Sequence, residues 1–268
     1  ARTAVPVVVA VAAAGIIPGV ISVSGLGPNL TSLLLALSGG SIVVMLLVTA
    51  VASIILGMGM PTTVTYIILI SMLATPLVEF GIPLLAAHLF ILYFGVIADI
   101  TPPVAVAAYA ASGVAKSDPF KTGIEAFSLS LNKAIVPFAF VFSPGILLIR
   151  GESTEQYHIL TFADVAGLGY FIPEVVVPIA GVFLGVLALG PTIIGYFYSS
   201  VGGLERALFA VPSILLMAPQ MILDPVFTVL EATGTSVGIE VLTLDLLLRL
   251  VGGVLFGALA LRNRRQME

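Results

Sequence analysis

The 268-residue sequence contains no cysteine, which removes disulfides, thiolate metal sites and cysteine nucleophiles from consideration. Charge is almost as scarce. Asp, Glu, Lys and Arg make up 9% of the chain, whereas a water-soluble domain needs about 25% to cover its surface. With 59% apolar residues and a mean hydropathy of +1.21, the lipid bilayer must be part of the solvent. No charged residue lies between Arg2 and Glu79, which leaves room for several crossings of about 20 residues each. Glu174 to Glu205 is a second long uncharged stretch. A net charge of −4 gives no reason to expect a nucleic-acid partner. An HExxH zinc motif and paired catalytic aspartates are both missing, so an enzyme is not expected. The chain opens on Ala1 with no basic n-region, so a signal peptide is not expected, whereas a longer parent protein is.

What is present is a series of apolar segments of unequal length. Ala4–Val23 reads as a first span, and Gly25–Gly39 as a loop with a short interfacial helix, together forming a region 1–40. Region 41–150 carries shorter pieces. Ser41–Leu56 and Val64–Val78 are half-length segments joined by Gly57–Thr63 (GMGMPTT), the pattern of a re-entrant hairpin. Pro83–Ala98 and Val104–Ala115, joined through Asp99–Pro103 (DITPP), read as one helix unwound in its middle. Asp118–Pro119 opens a helix to Leu129 along the membrane surface, and Lys133–Ile149 is a short span. Residues 151–170 form the sizeable aqueous loop. Within 171–268, Phe171–Leu189, Leu204–Leu223 and Asp245–Leu261 read as spans, with Arg249 and Asp245 able to neutralise each other four residues apart. Placing the C-terminal arginines in the cytoplasm puts eight of the ten basic residues on that side, with the 151–170 loop outside. The expected class is an all-α polytopic membrane protein.

The interruptions carry the functional reading. In hydrocarbon an unpaired backbone N–H or C=O costs several kcal/mol, so a helix breaks there only where protein, water or a ligand satisfies the freed groups. In the first break, Gly57 and Gly59 permit unusual backbone angles and Pro61 withholds a donor, with Met58 and Met60 between them and the hydroxyls of Thr62, Thr63 and Thr65 beside them. In the second, Thr101 precedes Pro102 and Pro103, which free carbonyls near Ile97 and Ala98. Two such breaks on adjacent short segments point to a transporter midplane site. Hard oxygens suit a small alkali cation, and half-helix N-termini after Pro61 and Pro103 favour an anionic substrate. Asp99 lies at the second break, either as a functional carboxylate or as the cap of the second half-helix. His88 either relays protons or packs with one local hydrogen bond. Met45, Met58, Met60 and Met72 are expected to pack. Small residues in Ala86–Ala87 and Ala105–Gly113 let helices approach closely.

GMGMPTTVTYI, PLLAAHLFILYFGVIADITPPVAVAAYAASGVAKSDPFKTGIEAF and VPFAFVFSPGILL together resemble the large membrane subunit of tripartite ATP-independent periplasmic (TRAP) transporters, with the TAXI-type fused permeases the nearest pattern. The similarity is dense over about residues 40–150. The resemblance implies the second inverted repeat of an elevator-type fold of the ion-transporter superfamily, with a re-entrant hairpin and a discontinuous helix. It implies a sodium-coupled importer of an organic carboxylate, delivered by an extracytoplasmic solute-binding protein, in the inner membrane. Carried onto this chain, the ion and substrate site comprises Gly57, Met58, Gly59, Met60, Pro61, Thr62, Thr63, Ala98, Asp99, Thr101, Pro102 and Pro103. A sodium site falls at Gly57, Gly59, Thr62, Ala98 and Thr101, with no other cofactor. The first repeat and the small-subunit region are expected as partners, as from the C-terminal half of a permease. Alternatives are a proton-coupled or binding-protein-independent anion transporter and, from another class, a non-transporting membrane scaffold.

Overall fold

The structure is a computed structural model that describes residues 16, 20, 23–153, 156–232 and 241–266. The span expected over Ala4–Val23 falls almost wholly outside them. The chain divides into two compact units, Ala1–Phe127 and Ser128–Glu268.

In the first unit, α1 (Leu26–Ser38) is bracketed by Gly25 and Gly39, both at positive φ. Ser41 then caps α2 (Ile42–Gly57) by accepting from the Val44 amide. The tight connection Met58–Pro61 leads to α3 (Thr62–Glu79), which turns through Gly81 (φ 82°) into α4 (Leu84–Ala98). After the interruption comes α5 (Val106–Ala115). Helices α2, α3 and α4 pack on one another, and α1 covers α2 and α3. Their core holds Met45, Leu46, Leu69, Leu73, Leu77, Phe90 and Ile91, all fully buried. Small residues on α4 (Ala86, Ala87, Gly95 and Ala98) let its neighbours come close, the device membrane helices use in place of a hydrophobic drive. The short piece expected at Val64–Val78 is longer than its apolar core. Thr62 and Thr63 join it, and α3 reaches 18 residues, long enough to cross a bilayer.

Asp118 caps α6 (Pro119–Ala134), its Oδ1 accepting from the Lys121 amide at 2.8 Å, as Asp-Pro predicts. The expected separation at Leu129–Lys133 is not there. With only a break at Ile135, the helical run continues into α7 (Val136–Phe142), and Pro119–Phe142 makes a 24-residue apolar segment. Pro137 sits in the first turn of α7, where it costs no hydrogen bond, whereas Pro144 forces Ser143 out of the helical region and ends the run.

The aqueous loop adds a small sheet to a mostly helical chain. Its residues form a β-hairpin, β1 (Ile149–Ser153) antiparallel to β2 (Gln156–Ile159), pairing Ile149 with Ile159 and Arg150 with His158. A short helix α8 (Phe162–Ala166) follows, opened by a capping box between Thr161 and Asp164. The segment α9 (Leu168–Ile194) is helical throughout, with a π turn at Ile172–Val176 that contains Pro173 and ends two residues before Pro178.

Leu204–Leu223 is not one straight span. α10 (Gly203–Met217) and α11 (Gln220–Ala232) meet at Ala218–Pro219, and α10 with the first part of α11 bends by 79°. Pro219 has no amide hydrogen, and it drives Ala218 to φ −148°, ψ 67°. α12 (Val241–Arg265) packs against α9 and α10. Among the described residues, four segments are long and apolar enough to cross a membrane, or five with the bent pair counted as one span.

Candidate functional site

Both predicted interruptions are present, and they meet. α2 stops at Gly57, after which Met58 is extended and Gly59 turns through φ 81°, a left-handed conformation that suits glycine. The Met60 amide closes this turn onto the Gly57 carbonyl at 3.5 Å. α3 then starts at Thr62, with the Thr65 amide on the Pro61 carbonyl and the Thr65 hydroxyl donating to the Met60 carbonyl at 3.2 Å. In the second interruption α4 ends at Ala98. The carbonyls expected to be freed there are engaged: Ile97 accepts from the Ile100 amide and the buried Thr101 hydroxyl (2.7 Å), and Ala98 accepts from the Thr101 amide. α5 restarts from Ala105, whose φ is 33°. Tyr109 donates its hydroxyl to the Pro103 carbonyl at 2.6 Å, closing the loop from the far side.

Three close approaches join the breaks. Thr62 Oγ1 donates to Asp99 Oδ2 at 2.6 Å. Gly57 lies against α4 so closely that a Cβ on it would stand 2.9 Å from Ala98 Cβ and 2.9 Å from Thr65 Cγ2. A Cβ on Gly59 would stand 3.2 Å from Val104 Cγ1, so the hairpin tip also touches the unwound segment. Gly57, Gly59, Thr62, Ala98 and Asp99 are thus brought together. Met58 and Met60 are half-buried beside them, and Pro61 and Thr63 are exposed. Thr101 turns its hydroxyl back into its own helix, and Pro102 lies near Gly123. Of the two readings of Asp99, the cap fails: α5 has no side-chain cap, and the carboxylate reaches the hairpin instead. His88 shares a 2.7 Å hydrogen bond with the Tyr66 hydroxyl, the local packing role.

Sequence reasoning missed Gly95 and Tyr109. Gly95 lets Leu69 and Thr65 approach α4, each 3.3 Å from where its Cβ would be. Its signal was the small-residue spacing Gly95–Ala98, readable only with α2 and α3 in place. A second surprise lies in the other unit. Pro219 breaks a helix without any Gly or Thr around it, and Arg249 Nη1 donates to the Leu216 carbonyl there at 2.6 Å. The same guanidinium holds Asp245 Oδ2 through Nε (2.7 Å) and Ser143 Oγ through Nη2 (2.9 Å), so the predicted Asp245–Arg249 pair exists and is buried.

Residues 234–238 (GTSVG) have the spacing of a hydrolase serine elbow. They lie outside the described residues.

A helical membrane protein with two interrupted segments meeting through a hydroxyl, a carboxylate and closely packed backbone has the build of a permease. The family model of the tripartite ATP-independent periplasmic transporter, DctM component, matches residues 1–152, more than half of the chain. The chain belongs to that family and is a membrane permease component of a TRAP transporter. No curated protein matches it, and no solved structure does.

Proposed function

We propose that the chain supplies one ion- and substrate-binding half of a sodium-coupled importer of an organic carboxylate. The observation that carries this reading is the Thr62–Asp99 hydrogen bond, which ties the hairpin tip to the unwound segment at 2.6 Å. A carboxylate and a hydroxyl set beside two helix interruptions offer hard oxygens for an alkali cation. Gly57, Gly59, Thr62, Ala98 and Thr101 frame the sodium site, with Asp99 beside it. The N-termini of α3 and α5 provide amide dipoles suited to the substrate carboxylate. On this reading the hairpin α2–α3 and the broken helix α4–α5 form the second inverted repeat of an elevator-type transporter of the TAXI type. The first repeat, the small-subunit region and an extracytoplasmic solute-binding protein complete it in the inner membrane, with the C-terminal arginines cytoplasmic.

The test is uptake by the complete transporter with its binding protein in proteoliposomes. Dissipating the sodium gradient should abolish uptake. Uptake that persists without sodium under an imposed proton gradient would replace sodium with protons, and uptake without the binding protein would remove that partner.

A further inference from the structure

The loop between two segments long enough to cross a membrane, residues 149–168, takes no part in the transport site. Arg150, Thr161 and Asp164 are engaged with one another within the loop. Asp164 accepts from the Thr161 amide (2.9 Å), the Thr161 hydroxyl (2.7 Å) and Arg150 Nη1 (2.6 Å), with His158 Nε2 at 3.6 Å. Arg150 in turn lies over the ring of Tyr170, its Cζ 4.1 Å from the centroid, which fastens the hairpin to the start of α9. The apolar residues are treated in the opposite way. Phe162 is 96% exposed and Ile159 76%, and Val165 and Leu168 are exposed as well.

Large apolar side chains held outward by an internally bonded frame are built to meet a surface. What that surface is follows from the adjoining helix. Leu168, Ile172, Val176, Ile179, Phe183 and Leu187 are exposed at three- and four-residue spacing along a segment long enough to cross a bilayer. This is a lipid-facing stripe. Only Gly167 separates it from α8, so Phe162 and Val165 extend the apolar surface beyond the end of the span. We propose that the segment Ile159–Leu168 is a membrane-interface anchor, with Phe162, Val165 and Ile159 inserted among acyl chains just below the headgroups. Arg150 and Tyr170 lie at headgroup level, where a cation and an amphipathic ring are both favoured. A soluble partner docking here would have to cover a patch whose edge continues directly into the lipid-facing stripe.

The sequence contains no tryptophan, so one introduced tryptophan reports alone. Phe162→Trp is made in the full chain, reconstituted in phosphatidylcholine vesicles with and without bromine on the acyl chains, and Phe183→Trp serves as the lipid-facing reference. The expected result is a blue-shifted emission, strong quenching by the brominated lipid close to that of the reference, and little quenching by aqueous iodide. Val165→Trp gives an independent reading should Phe162→Trp fail to reconstitute. Emission quenched by iodide and indifferent to bromine, with Phe183→Trp still bromine-quenched, would overturn the anchor and leave the patch to a soluble partner.

Discussion

The close approach of Gly57 to the broken helix can be tested by a matched pair of alanine substitutions. At Gly57 an added Cβ meets Ala98 Cβ and Thr65 Cγ2, both at 2.9 Å. Neither can step aside cheaply. Ala98 Cβ is fixed to its backbone, and Thr65 is a stiff β-branched residue whose hydroxyl is bonded to the Met60 carbonyl. Gly113, inside α5, has nothing within 4 Å of an added Cβ. Both substitutions lower unfolded-chain entropy and favour helix, at most by about 1 kcal/mol. Overpacking at Gly57 costs about 1–3 kcal/mol, so Gly57→Ala should be less stable than Gly113→Ala by about that amount. At about 2–4 °C per kcal/mol for a chain of this size, the two should melt between a few and about 10 °C apart. Thiol dyes and tryptophan fluorescence are unusable in a chain without Cys or Trp, so the assay is far-ultraviolet circular dichroism of the detergent-purified protein. Coincident melting curves would refute the argument that the hairpin tip is wedged against α4.

Thr62→Val removes the hydroxyl that bonds Asp99, at an exposed site where the loss should be about 1 kcal/mol or less. Uptake by the complete transporter should fall sharply and be recovered in Thr62→Ser. Equal uptake in all three forms would detach this contact from transport. Asp245→Leu leaves Arg249 charged and buried, and removing one partner of such a pair costs about 3–5 kcal/mol. The variant should lose monodispersity on heating well below the parent, and an unchanged profile would show that Leu216 and Ser143 alone hold the guanidinium. Hydrogen bonds from Thr161, then from Arg150, hold the Asp164 carboxyl well below the usual carboxylate range. A depressed pKa means that its contribution to loop order is complete above the unfolded value of about 3.9 and is lost only as pH falls through the lower folded value. The carboxyl carbon shift of labelled Asp164 in micelles should stay in the ionised position at pH values near that unfolded pKa. A midpoint near about 3.9 would contradict the bonding described for the loop.

Both interruptions were legible in the sequence because glycine and proline act on their own backbone, without help from tertiary contacts. The Asp118 cap was legible for the same reason. The bridge between the interruptions was not, since Thr62 and Asp99 are 37 residues apart and only the packing of α2 and α3 on α4 brings them together. The free carbonyls inferred at Ile97 and Ala98 overlooked that Thr101 folds its hydroxyl back one turn. The hairpin Ile149–Ile159 escaped notice because each strand is too short to show an alternating pattern against a polar loop. The bend at Pro219 was not legible, because Leu204–Leu223 reads as one apolar span and the 79° turn shows only in three dimensions, where the Leu216 carbonyl meets Arg249 of a distant helix.

That arginine has a consequence for how the protein is built in the cell. An arginine or aspartate arriving alone at the centre of a nascent helix costs about 2.5–3.5 kcal/mol at the translocon. Asp245 and Arg249 arrive together, one turn apart on α12, with their ion pair contained within that helix. The apolar stretch Val241–Leu261 therefore carries no net charge before any neighbour docks, the three terminal arginines lying past it. Leu216 and Ser143 precede it in the chain and are already synthesised when it enters the bilayer, ready to accept from two of the donors that the aspartate leaves over. α12 thus carries its own countercharge through insertion and exchanges lipid for a carbonyl and a hydroxyl only on docking, where its guanidinium takes up the Leu216 carbonyl at the end of α10, ahead of the bend.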